Sequence, residues 1–150
     1  MNPKKIFAGV ETILVIDWPS REVPENLAIA GFQVIVGGGP APEDYAAYEV
    51  TNGMVVACRL SRPPEHADLV YSYRPLSELP EIVATAQRLH ARTIWTQSGF
   101  SALGIKERKG CWFAAQHQES ARNLVQSAGL NYLSAPYMAD VVRELTHRPD

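Results

Sequence analysis

Three consecutive glycines, Gly37-Gly38-Gly39, closed by Pro40, form a segment suited to holding an anion. Residues without a Cβ are free to take positive φ, and successive backbone N–H groups then converge on one centre. A tight turn needs fewer glycines, so the run favours ligand contact over turn geometry alone. Nucleophilic chemistry has two candidate thiols, Cys58 and Cys111. They lie far apart, without the paired spacing of a zinc site or a disulfide framework, and two reduced thiols are expected. Cys58 closes the apolar run Met54–Cys58 and is expected to be buried. Cys111 stands in a glycine-containing connection where a thiol is either structural or reachable.

A Cys111/His117 pair could form a nucleophile and its base, yet nothing in the sequence supplies the third, orienting group. His66, His90 and His147 are dispersed, and the latter two fit helix-end or solvent positions. The chain has no Gly-x-Ser-x-Gly elbow, no His-Glu-x-x-His pair and no Walker loop. A binding module without catalysis of its own is the first expectation, and no metal is expected.

The elements that must position these residues follow one another in a regular order. Thr12–Ile16 is a continuous β-branched and aliphatic run, the pattern of a strand buried on both faces. Asp17–Ser20 interrupts it, and Pro24–Ala30 reads as a helix stopped by Gly31. Phe32–Val36 is the second strand and leads into the triglycine. Tyr48–Val50 and Met54–Leu60, separated by Asn52-Gly53, read as a small added β-hairpin. Asp68–Tyr73 and Arg92–Gln97 are the third and fourth sheet strands, with a helix from Ser77 or Pro80 to His90 between them. A long connection, a helix over Glu119–Ala128, a fifth strand at Leu130–Leu133 and a helix over Pro136–Leu145 complete the chain.

This alternation predicts a single α/β domain over residues 1–150. Its core is a five-stranded, mostly parallel, doubly wound sheet of Rossmann-like type. Such sheets bind ligands beyond the carboxyl ends of their strands. Asp17–Ser20, Gly37–Pro40, Tyr73–Pro75 and Gln97–Gly99 all fall at such ends. A nucleotide-like ligand is therefore expected there.

Charge and composition narrow the partners. An apolar share of 46% with 20% charged residues suits an ordinary packed core. The formal charge of -2, from 14 basic and 16 acidic residues spread along the chain, offers no footprint for nucleic acid or anionic membrane. No run approaches the ~20 apolar residues that span a bilayer, and Met1–Val10 lacks a signal-peptide core. A cytoplasmic location is expected. Tyr45 and Tyr48 could support a homodimer, or could cover the domain's own core.

Ile13–Ile16, Pro19-Ser20, Gly31–Val34, Asp68–Arg74, Ile94–Gln97 with Ser98-Gly99, and Ala121-Arg122 to Ala128–Leu130 together resemble the CoA-binding domain family. Its members are small Rossmann-like proteins similar to the CoA-binding part of the succinyl-CoA synthetase α subunit. The resemblance runs from about Thr12 to Met138 and implies CoA as the bound cofactor. It also implies that Pro19 and Ser20 border the ligand's phosphates, that Tyr73 and Arg74 flank it, and that Gln97, Ser98 and Gly99 lie against it. Ser20 either caps a helix or donates to a phosphate. Arg74 either borders the ligand or is an ordinary surface residue, and Trp95 is expected in the core.

The family's small-residue loop after the first strand is replaced here by Asp17 and Trp18. An aspartate there repels phosphate, or accepts hydrogen bonds from a ribose. Ser134–Tyr137 stands where the family often has an Asp-Arg-Cys element, so no role of that cysteine carries over. Two other functions stay open: an enzyme using a dinucleotide or acyl-CoA with Cys111 or His117 as reactive group, and an interaction protein that kept the fold and lost the ligand.

Overall fold

The computed structural model describes residues 3–16, 21–37, 44–74, 76–97, 115–134 and 137–146. A one-turn helix α1 (Pro3–Ile6) precedes β1 (Thr12–Ile16), α2 (Glu22–Ile29) and β2 (Gln33–Gly37). The hairpin β3 (Tyr45–Thr51) and β4 (Met54–Arg59) follows. The chain then runs through β5 (Leu69–Ser72), a 3-10 turn (Leu76–Glu78), α3 (Leu79–Arg88), β6 (Thr93–Thr96), α4 (Ala115–Ser127), β7 (Asn131–Leu133) and α5 (Met138–Thr146).

Among the described residues, the strands form one seven-stranded sheet in the order β4-β3-β2-β1-β5-β6-β7. The five expected strands are present and mutually parallel. The five-strand count is corrected because the hairpin is no separate excursion. β3 pairs antiparallel with β2, Val34 opposite Tyr48 and Gly37 opposite Tyr45, and carries β4 outward as an edge strand. The turn is the expected one: Asn52 and Gly53 both adopt positive φ, at 53° and 77°, which matches the right-handed twist of the strands they join.

The period of two along each strand divides the core. Ile13, Val15, Leu69, Tyr71 and Trp95 face the layer of α1, α2 and α5, where Phe7, Val23, Leu27, Met138 and Val141 meet them. Leu14, Val70 and Ile94 face α3 and α4, packing on Ile82, Val83, Ala121 and Val125. With helices on both faces, β1, β5 and β6 have no solvent-facing side: every residue of β5 and β6, and all of β1 but Ile16, is buried. Trp95 is fully buried as expected. Its ring lies edge-on to Tyr71 at 6.2 Å between centroids and 5.9 Å from Phe7.

Cys58 is exposed, which corrects the expectation of a buried thiol. It sits opposite Ala47 on the outermost strand, and five of the six residues of β4 are exposed. An apolar run reads alike in a core strand and at an edge, and only the position decides burial. Tyr45 and Tyr48 are half-buried against the domain's own two core clusters. The guanidinium of Arg21 also lies over the Tyr48 ring, 5.3 Å from its centroid, tying the start of α2 to the hairpin.

Among the described residues no helix is long and apolar enough to cross a membrane.

Candidate functional site at the carboxyl ends of the strands

The chain leaves β1 toward β2 on one side and later returns to β5 on the other, so the strand order reverses at β1. Open α/β sheets have their binding crevice at this reversal, because connections leave in opposite directions and part there. The carboxyl ends of β2, β1, β5 and β6 stand side by side, spanning roughly 14 Å at ordinary strand spacing. That width suits an extended nucleotide.

Four of the residues singled out from the sequence lie in the described part of this rim. Gly37 is the last residue of β2, opposite Tyr45. It is a strand residue without positive φ, which corrects its assignment to a conformationally free loop. The absence of a side chain matters here through crowding. A Cβ at Gly37 would stand 3.0 Å from Cε1 of Tyr45, closer than an ordinary contact, so the ring must shift to admit any other residue.

Tyr73 and Arg74 follow β5. The Tyr73 N–H donates to the Ile16 carbonyl at 3.2 Å, holding this segment against the end of β1. The Arg74 N–H donates to Oγ of Ser72 at 3.1 Å. Its guanidinium reaches Oε2 of Glu78 through both Nε, at 2.9 Å, and a terminal nitrogen, at 2.6 Å. The Glu78 carboxylate thus holds the Arg74 head at the rim.

Gln97 follows β6 and is fully buried. Its N–H donates to the Ser72 carbonyl at 3.0 Å, which continues the β5–β6 ladder by one residue. The Met138 N–H, first in α5, donates to Oε1 of Gln97 at 3.3 Å, and the Tyr71 hydroxyl donates to the same oxygen. A backbone N–H is a donor only, so the atom facing Met138 is the amide oxygen and the Nε2 group is turned elsewhere. Nε2 is buried and has no partner among the described residues. A buried amide with its acceptor used twice and its donors unused is a strong polar feature of the rim.

Asp17, Trp18, Pro19, Ser20, Gly38, Gly39, Ser98 and Gly99, together with Cys111, lie outside the described residues. The N-cap position of α2 is held by Arg21, with no side-chain cap hydrogen bond. Arg21 instead pairs with Glu25 at 3.0 Å.

Ser72, Tyr71 and Met138 were not singled out from the sequence. For Ser72 a signal was present, a hydroxyl ending the apolar run Leu69-Val70-Tyr71. It is completely buried and accepts the Arg74 N–H. The Met138 contact spans 41 residues and has no local signal.

The fold is shared with solved structures of low sequence identity. Prb, the PH1109 protein redesigned for binding, superposes with a TM-score of 0.62 at 16% identity, covering 98% of this chain and 92% of that one. A Thermus thermophilus protein, cell-free ID.343, gives 0.58 at 19% identity, covering 97% and 99%. A conserved hypothetical protein from Pyrococcus furiosus gives 0.51 at 16% identity, covering 87% and 98%. No curated protein matches. The model of the CoA binding domain matches residues 16–139, a stretch that opens at the end of β1 and closes in the first turn of α5. It takes in all four strand ends of the crevice, and the chain belongs to the CoA binding domain family.

Proposed function

We propose that this chain is a CoA-binding module, taking the ligand across the carboxyl ends of β2, β1, β5 and β6 without catalysing a reaction on its own. The observation that carries this reading is the buried Gln97 amide, whose Nε2 has no partner among the described residues. An unmet buried donor costs about 1–3 kcal/mol. A ligand oxygen, phosphate or amide carbonyl, placed on Nε2 offsets that cost and gains a hydrogen bond in a site of low polarity. CoA offers both kinds of oxygen along its length.

Arg74 supplies positive charge one strand away, and a guanidinium already oriented by Glu78 loses little freedom on meeting a phosphate. Asp17, Trp18, Pro19 and Ser20 after β1, Gly38 and Gly39 after β2, and Ser98 and Gly99 after β6 are assigned to the ligand's surroundings. Gly37 and Tyr73 frame its edges. Membership of the CoA binding domain family supports CoA over other nucleotides.

Thermal unfolding with CoA, NAD and ATP tests this reading. Ligand at ~100 times its dissociation constant stabilises by about 2.7 kcal/mol, a shift of a few degrees for a domain of this size. CoA should raise the midpoint and Arg74→Ala should reduce the rise. A shift with NAD and none with CoA would overturn the assignment.

A further inference from the structure

β4 is the outer edge of the sheet, and its register shows which of its backbone groups are in use. In an antiparallel pair, residues that exchange both bonds with the partner alternate with residues whose N–H and C=O point away. The Leu60 N–H donates to the Tyr45 carbonyl at 2.8 Å. Counting back through the one-to-one register places Met54, Val56 and Cys58 among the residues bonded to β3. Val55, Ala57 and Arg59 alternate with them and turn their N–H and C=O groups outward, where no strand among the described residues meets them.

Native sheets protect such an edge with a bulge, a proline, a lysine or a very short strand. β4 uses none of these: it is six residues long, runs from Met54 to Arg59 without lysine or proline, and pairs residue for residue with β3. Exposed apolar side chains collect on the same hairpin, with Met54 at 70%, Val50 at 49% and Val56 at 42%. Arg59 is the only charge in the strand, and its guanidinium is held by Asp44 at 2.7 Å.

We propose that β4 pairs antiparallel with β4 of a second copy of this chain, about a two-fold axis at Ala57, joining the two sheets into one. Two properties single out a copy of the chain as the occupant. The first is complete use of the backbone. With Ala57 opposite Ala57, Val55 of each copy stands opposite Arg59 of the other, so every outward N–H and C=O of the strand gains a partner. On one face Val56 then meets Cys58 and Met54 meets Leu60, pairs that stabilise an antiparallel ladder. The second property is charge. An acidic or basic segment would have to displace Asp44 to engage β4, whereas in the two-fold register each Arg59 faces a valine. The two Arg59 positions lie about 14 Å apart along the strands, beyond the ~8 Å over which exposed charges act at physiological salt. Sliding the strands until Arg59 stood opposite Arg59 would set like charges side by side. The pairing closes at two chains, because it consumes the β4 edge of both.

Sedimentation equilibrium of the whole chain tests the proposal. The unsubstituted protein should follow a monomer–dimer equilibrium. Ala57→Pro removes an N–H that β3 does not use and sets a ring in its place. It should weaken the dimer at least about ten-fold and leave the far-ultraviolet circular dichroism spectrum unchanged. Ala57→Lys and Ala57→Asp, at an exposed position, each place like charges across the axis and should weaken the dimer several-fold. An equimolar mixture of these two variants should restore it, since opposite charges then meet, and this pair serves if Ala57→Pro does not fold. A monomer throughout the accessible concentration range would overturn the proposal and leave the edge for a strand of another protein. A dimer indifferent to the proline and to both charges would also overturn it, placing the contact on a different surface.

Discussion

The N–H of Met138 donates to the side-chain oxygen of Gln97 at 3.3 Å, joining the first turn of α5 to the end of β6. The contact assigns the oxygen of the Gln97 amide to the start of α5, and its Nε2 donors are left without a partner among the described residues. Replacing Gln97 by Met keeps the volume and removes both functions. The Met138 N–H and the Tyr71 hydroxyl then lose their acceptor, at a cost of about 1–3 kcal/mol. Urea unfolding of Gln97→Met should show this loss of stability, and titration at a temperature where it is folded should show weakened CoA binding.

Gly37 and Tyr45 are coupled by space. Gly37→Val should cost about 1–3 kcal/mol, because a branched side chain meets a ring that already stands 3.0 Å from a bare Cβ. Adding Tyr45→Ala should recover at least about 0.5 kcal/mol of that cost. A double-mutant cycle of unfolding free energies measures the coupling, and strict additivity would show that the ring is not what excludes the side chain.

Three helices end in the same way. After α2, α3 and α4 the closing residues are Gly31, His90 and Gly129, at φ of 103°, 61° and 84°. In each, paired backbone bonds close the end, such as Ala91 N–H to the Ala86 carbonyl at 2.9 Å and His90 N–H to Gln87 at 3.1 Å. His90 alone of the three carries a Cβ into the left-handed region. His90→Gly should stabilise the protein by about 0.5–1 kcal/mol, read as a rise in the thermal midpoint.

Asp68 ties the start of β5 to the start of β1. Burial works against its charge, but the N–H groups of Thr12 and Glu11, each at 2.9 Å, and the His66 ring outweigh it, holding the pKa below the ordinary 3.8. A carboxylate with a depressed folded-state pKa contributes stability above its unfolded value and loses it as the pH falls through the folded value. Urea midpoints should therefore drop between about pH 5 and about pH 3. Asp68→Asn should be less stable at the upper pH and lose less on acidification.

The parallel core was legible because a strand covered on both faces, such as Thr12–Ile16, carries a continuous β-branched and aliphatic run that local sequence displays, and because such segments alternate with helices. The hairpin turn was legible because Asn52-Gly53 suits two successive positive φ values. That the hairpin extends the sheet was not, since the pairing of Tyr48 with Val34 is a matter of register between segments. Cys58 misled for a similar reason, as edge position leaves no mark on a short apolar run. At the site, Arg74 and Gln97 could be picked out by type and by place at strand ends. The role of the Gln97 amide required Tyr71 and Met138, partners 26 and 41 residues away.

The side-chain amide of Gln97 is the group on which CoA binding can be read directly. Its Nε2 resonances in an ¹⁵N–¹H correlation spectrum are assignable by their loss in Gln97→Met, and CoA can be titrated against them. Bound CoA should shift that signal saturably, together with the backbone signals of Gly37, Tyr73 and Arg74. Saturable binding that leaves Gln97 unmoved, and instead shifts Lys5, Arg92 and Asn131 around the cavity at the other end of the strands, would contradict this binding site.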